Sequence, residues 1–178
     1  MLHVFITDLQ SYNEGHLVGK WVELPVSKFE LAQALSEVLN EGEYISGSNN
    51  HEEWFITDYE WDLYSLFEVE EYADIYSLND TARDLDSKTD HELKAISFLF
   101  KEGLSLDIED AIIKADDVVI HENQTMTDVA FDLLHDCYDL NSVAPLITNN
   151  IDYESIAKEL EYDGTYWEVG ADIYEYIG

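Results

Sequence analysis

The chain sets 40 Asp and Glu against 8 Lys and Arg, a formal net charge of −32 on 178 residues. Self-repulsion on that scale opposes any compact state, so the fold must spread its charge over the surface and find cohesion elsewhere. The surplus is not a tail. Net charge is −9 over residues 1–60, −7 over 61–103 and −16 over 104–178. Nor is this the acidity of a disordered chain, which lacks apolar residues. Here 46% of residues are hydrophobic and 13% aromatic, enough for a core. With only 2 Pro and 8 Gly, long linkers are not expected. The length fits one ordinary domain or two to three small ones.

The charge also restricts partners. DNA, RNA and anionic membranes repel such a surface, because nucleic-acid binders need basic patches that release counterions. The fitting partner is a basic surface on another protein. Cys137 is the only cysteine, so no internal disulfide forms, in keeping with a reducing compartment. No signal-peptide pattern opens the chain, and no apolar run approaches the roughly 18 residues that span a bilayer.

Hydrophobic periodicity gives an α+β reading in three parts. His3–Leu9, His16–Leu24 and Glu53–Glu60 read as strands, with Pro25 stopping the second. Ser27 and Glu30 form a capping box for a helix that buries Leu31, Leu35, Val38 and Leu39, with Gly42 as its stop. Residues 1–61 are therefore a ββαβ module. Ser65 with Glu68, and Thr89 with Glu92, make two more capping boxes in a central helical module, 62–103. Asn79 and Asp80 break its first helix, a short helix can follow over 80–86, and Gly103 ends the last. A C-terminal module, 104–178, mixes types. It has a helix over 107–114, a strand over 117–122, a helix from Thr127 to about Leu140, and a helix from Asp152 to Glu161. A hairpin across Gly170-Ala171 closes it.

Catalytic motifs are missing. There is no phosphate-cradling glycine loop, no GxSxG elbow and no cysteine pair at zinc spacing. His51-Glu52-Glu53 lacks the second histidine of HExxH. Asp132 and His135 share a helical face and make half a metal site at most; a solvated pair is the simpler reading. The segment 84–95 starts like a calcium loop, but Thr89 stands where glycine is needed and Ala95 where glutamate is needed. The chain reads as a non-enzyme without cofactor or metal.

What remains is charge in register. DNA carries one negative charge per roughly 1.7 Å of duplex axis, so −32 matches about 54 Å, or about 16 base pairs, as an upper bound. Asp128, Asp132, Asp136 and Asp139 follow one another at i, i+4, i+8 and i+11. The helical rise sets successive carboxylates about 6 Å apart, close to the spacing of neighbouring phosphates. Val129, Phe131, Leu133, Leu134 and Tyr138 can pack inward from the other side. An ordinary amphipathic helix with a solvated acidic face is the competing reading. Against it, ordinary helices place Lys or Arg at i+4 to their acids. None occurs from Ala115 to Ala157, nor from Phe29 to Ala82. Asp116, Asp117, Glu122 and Glu14 complete the candidate acidic surface. A halophilic surface is the main rival explanation of the charge, and the many large aromatic and branched residues argue against it.

At YNEGHLVGKW, Tyr12 to Trp21, the chain resembles the ArdA antirestriction proteins, whose N-terminal signature is roughly YNEG-x-L-x-G-x-W. ITDYE (Ile56–Glu60) and NIDYESIAKEL (Asn150–Leu160) resemble two further landmarks, in family order. Lys158-Glu159 stands where the family often has Arg-Asp. The resemblance implies a cytoplasmic protein of conjugative mobile elements. It would mimic DNA and competitively occupy the DNA-binding groove of type I restriction-modification enzymes, with their methyltransferase core as partner. It also implies an elongated, curved homodimer of chains with three small domains. Within the motif, Gly15 and Gly19 have backbone roles, Tyr12 and Trp21 read as core, and Glu14 as a contact. The charge reach of one chain also favours a two-fold assembly. Candidate interface residues are Val118, Val119, Ile120 and His121 of the C-terminal strand, with Met126 and Phe131. The alternative function is a general acidic sequestering or chaperone protein for basic DNA-binding proteins, which needs charge without shape. A metal-dependent hydrolase would need converging carboxylates that the sequence does not present.

Overall fold

The computed structural model describes residues 1–62 and 64–178 and is of the α+β class. It divides into two compact units, Met1–Ile112 and Ile113–Gly178. The expected central span 62–103 includes Leu63, which lies outside the described residues.

The first unit opens with β1 (Leu2–Asp8), α1 (Leu9–Asn13), β2 (Gly19–Leu24), α2 (Lys28–Ser46) and β3 (Trp54–Trp61). The short α1 lies where the sequence reads as a turn. The strands form one antiparallel sheet in the order β2-β1-β3. Alternation in β1 decides its faces. Leu2, Val4 and Ile6 are buried with Leu31, Ala34 and Leu35 of α2, while His3 and Phe5 face the other way. Ser27 caps α2 with Glu30 in a reciprocal box, as its sequence predicts. Gly42 does not stop the helix; α2 runs to Ser46 and ends at Gly47, φ 67°. A Cβ at Gly42 would lie 2.8 Å from Asp8 Cγ and from His51 Nδ1, so this glycine serves close packing.

The helix expected from Ser65 does not form. Residues 64–74 run as a largely irregular strap, and α3 (Ile75–Asp86) starts after its N-cap, Asp74. The apolar residues of the strap pack inward without helical geometry. Leu66 is buried, and the Phe67 ring meets Trp61 edge-on at 5.0 Å. The strap also covers part of the outer edge of β3. The Ile56 N–H, which alternation turns away from β1, donates to Glu71 O at 2.8 Å, and a bulge between Phe5 and Ile6 interrupts the β1–β3 ladder nearby. Asn79 is no breaker. It is buried in α3, its Oδ1 accepts from Val26 N at 2.8 Å and its Nδ2 donates to Val26 O at 3.0 Å. Ile75 and Ala82 of α3 join the sheet core. Next come α4 (Asp90–Lys101), capped by Thr89 and Glu92 as expected, and α5 (Ile108–Lys114).

The second unit contains β4 (Val118–His121), α6 (Met126–Cys137), α7 (Pro145–Thr148), α8 (Tyr153–Asp163), β5 (Tyr166–Val169) and β6 (Asp172–Tyr176). Its antiparallel sheet has the order β4-β6-β5, which leaves β4 and β5 as edges. The hairpin β5–β6 turns at Gly170, φ 68°, as its Gly-first loop predicts. Met126, Val129 and Ala130 of α6, Ala157 of α8 and Ile173 of β6 form the core. The cap of α6 is Thr125, two residues before Thr127, and the helix ends at Cys137 rather than near Leu140.

Candidate functional site

The α6 boundaries reshape the acidic stripe. Asp128, Asp132 and Asp136 lie on the helix and are exposed. Asp139 lies beyond it, exposed at the start of a 3₁₀ turn, Leu140–Ser142, so it cannot continue the helical spacing. Asp128 is the third residue of the capping box. Its Oδ2 accepts from Thr125 Oγ1 at 2.6 Å and Thr125 N at 2.9 Å. Those bonds, the hydroxyl first, hold its carboxyl below the ordinary value of 3.8. Neutralising Asp128 thus removes a helix cap together with a charge. A group with a depressed folded pKa stabilises the fold above its unfolded value and loses that contribution as pH falls through the folded one. Asp128→Ala is accordingly expected to lower the urea midpoint at pH 7, and the gap from the unsubstituted chain to narrow progressively as pH falls below the ordinary carboxyl value of 3.8. A gap that stays constant through that acid range in denaturation curves would rule out this account of the cap.

Asp132 and Asp136 face a cleft of about 460 Å³ between α6 and the sheet, lined also by Ile120, His121, Glu122, Leu133 and Glu175. Four acids from three segments, α6, β6 and the residue after β4, therefore meet here. Glu122, Asp132 and Asp136 are expected from the sequence; Glu175 is not. Its Oε1 accepts from the Tyr166 hydroxyl at 3.0 Å, and its Oε2 lies 3.3 Å from His121 Nε2. Burial, and next the bond to Glu175, push the Tyr166 phenol up to about 12. The strand period could have found Glu175, because it pairs with Val119 and Tyr166 in the register of β6. Asp116 and Asp117 are exposed in a 3₁₀ turn just before β4. Glu14, in the first unit, is exposed beside α1. It lines a second acidic cleft with Glu52 and Glu53, neither expected from the sequence.

Asp132 and His135 do not act together. Asp132 Oδ2 accepts from Gln124 Nε2 at 2.8 Å, and His135 Nδ1 is 2.8 Å from Phe131 O. The His135 ring stacks on Phe131 at 3.9 Å. Among the described residues, no three His, Cys, Asp or Glu side chains are grouped to hold a metal ion.

The proposed interface residues fall into two sets. Val118 and Met126 are 4% and 8% exposed, built into the core of their own unit and unable to offer a side-chain face. Val119 and Phe131 are 40% and 45% exposed, and Ile120 and His121 are partly covered. Phe131 and Tyr138, expected to pack inward, point largely outward. The helix buries Met126, Val129 and Ala130 instead, at i, i+3 and i+4.

The N-terminal motif also differs in part from its expected use. Gly15 has φ 87°, and a Cβ at Gly19 would come within 2.6 Å of Ile6 O, so both glycines have backbone roles. Tyr12 and Trp21, however, are 51% and 42% exposed and are not core. Tyr12 sits edge-on to Phe55, and Trp21 edge-on to Phe5.

Carboxylate-rimmed clefts on a small α+β scaffold define a strongly acidic protein. The family model described as "Antirestriction protein (ArdA)" matches residues 4–175, and the chain belongs to that family. Membership implies an antirestriction function, exercised through interaction with restriction enzymes, in a family of inhibitor proteins. No curated protein matches the chain. Among the described residues, no helix is long and apolar enough to cross a membrane.

Proposed function

We propose that the chain is a DNA mimic that competes for the DNA-binding groove of a type I restriction-modification enzyme, in the cytoplasm of a cell receiving a mobile element. The observation that carries this reading is the cleft rimmed by Glu122, Asp132, Asp136 and Glu175, in a chain with no Lys or Arg from Ala115 to Ala157. Asp132 and Asp136, one helical turn apart, set carboxylates at about 6 Å. Basic residues of the groove that bind phosphates would bind these instead. Steering by a net charge of −32 makes association fast and sensitive to salt. Organisation into three parts, 1–61, 62–103 and 104–178, and assembly as a homodimer belong to the same proposal. The dimer is supported by the open edge of β4 and the exposed Val119 and Phe131.

The test is displacement of labelled DNA from a purified type I methyltransferase core. The chain is expected to displace it at a fixed stoichiometry, leaving enzyme and DNA chemically unchanged. Raising salt from 0.1 to 0.5 M should weaken the chain's own binding by about tenfold or more. One molecule silencing many enzyme molecules irreversibly would rule out mimicry. Equally tight binding to an unrelated basic protein would favour a general acidic sequestering protein.

A further inference from the structure

The outer face of the N-terminal sheet carries chemistry that bulk acidity does not need. Helix α2 covers the face of Leu2, Val4 and Ile6. On the other face the register makes two rows across the three strands. Trp21 of β2, Phe5 of β1 and Asp58 of β3 form one; Glu23, His3 and Glu60 form the next. Strands about 4.8 Å apart, and residues i and i+2 about 7 Å apart, place the three carboxylates around the aromatic pair. Trp21, Glu23, Asp58 and Glu60 are all exposed. Phe5 is half-buried under Trp21, their centroids 5.3 Å apart at 61°, which props the indole upright. Gly19 keeps the adjoining position bare: a Cβ there would lie 2.7 Å from the Phe5 ring. His3 is turned to Asp62 at 2.9 Å, and Lys20, next to Trp21, points to the opposite side and meets Glu37 of α2 at 2.7 Å. No Lys or Arg stands in either row.

We propose that this face is a docking surface for an arginine of the partner enzyme's basic groove, with the guanidinium stacked on Trp21 and paired to Asp58 or Glu23. The inference rests on the proposed function above and deepens it. Charge complementarity decides the occupant: a face of one open indole among three carboxylates attracts cations. The stacking surface selects arginine, which is planar, weakly hydrated and able to pair bidentately while stacked. Lysine, a compact and strongly hydrated point charge, stacks less well and cannot pair bidentately. Trp21 is thus an aromatic anchor of the kind that concentrates binding energy at interfaces, and a phosphate-like array without it would bind through charge only.

The experiment uses the full chain and a type I methyltransferase core, with binding measured by displacement of labelled DNA at 0.1 and 0.5 M salt. Trp21→Ala is expected to weaken binding about tenfold at both salt concentrations, because stacking is not screened. The triple change Glu23→Gln, Asp58→Asn and Glu60→Gln should weaken it at low salt and much less at high salt. Trp21→Phe should fall between Trp21→Ala and the unsubstituted chain. Replacing Tyr44, which is 87% exposed on α2, with alanine is the control expected to change nothing. Unchanged affinity for Trp21→Ala would overturn the proposal. Should that variant not fold, unchanged affinity for both Trp21→Phe and the triple variant would overturn it. Failure of the unsubstituted chain to displace DNA would instead remove the proposed function, and this face's role with it.

Discussion

His51→Ala should destabilise the N-terminal unit by roughly 3 kcal/mol, a large share of the about 5–15 kcal/mol that holds a typical domain together. His51 and Asp8 have side chains with no solvent exposure. Asp8 Oδ1 accepts from Ser11 N at 2.6 Å, and His51 Nδ1 lies 2.9 and 3.0 Å from the two carboxyl oxygens. On its other side, His51 Nε2 meets Ser46 Oγ and Ser48 Oγ at 3.0 and 2.9 Å. The end of β1, helix α1, the end of α2 and the loop before β3 are therefore fastened at one point. Deleting the imidazole leaves a buried carboxyl with one amide for company, which costs more than the net value of the bonds lost. Gly42→Ala should strain the same point, since its Cβ would lie within 2.8 Å of both side chains. The measurement is the urea midpoint at constant m. A double-mutant cycle with Asp8→Ala should show strong coupling, because the two residues act as one unit. A loss under about 1 kcal/mol for His51→Ala would mean that the loop before β3 stays in place without this pair.

The sequence makes some of this molecule plain and hides the rest for physical reasons. The boxes at Ser27 and Thr89, and the Gly-first hairpin at Gly170, are local signals, and they govern local structure. Ser65 with Glu68 has the same letters but no helix, because Leu66 is buried and Phe67 packs against the sheet core and Trp61 without a helical stripe. The Asn79 side chain imitates a backbone partner for Val26, 53 residues away, a role no local window contains. Gly42 looks like a stop because its real neighbour, the Asp8–His51 pair, is distant in sequence.

The candidate site divides the same way. Acidity and the absence of basic partners around α6 are matters of composition, so they are visible at once. Which acids share a cleft is not. Asp139 and Asp136 are close in sequence, yet only Asp136 lines the cleft with Glu175, which arrives from the far end of the unit. Trp21 reads as core because large aromatic residues usually are buried. Only the sheet topology, with α2 on one face alone, turns it outward.

Ile120→Pro should convert the proposed homodimer to a folded monomer. The argument starts from the ladder. Ile177 N donates to Asp117 O at 3.0 Å, so that pair is hydrogen-bonded, and antiparallel alternation then assigns the inward bonds of β4 to Val119 and His121. The N–H and C=O of Ile120 and the C=O of Val118 face the open edge, while the Val118 N–H is used by Ala115 O in the turn before the strand. Such an edge is a template for another strand, and a second copy of β4 would pair with it across a two-fold axis. Proline at 120 removes one outward donor and spares the bonds to β6, the arrangement in which edge strands accept proline. Val119→Pro is the contrast, since it removes a bond inside the unit and should damage the fold itself. Phe131→Asp tests the side-chain contribution, because it places a charge where an aromatic ring is exposed. Light scattering at micromolar concentration, with circular dichroism on each variant, reads both properties. Monomeric Ile120→Pro with unchanged circular dichroism is the expected result, together with weaker displacement of DNA from the methyltransferase core, since two linked copies present a longer acidic surface than one. A dimer that survives both Ile120→Pro and Phe131→Asp would place the interface elsewhere.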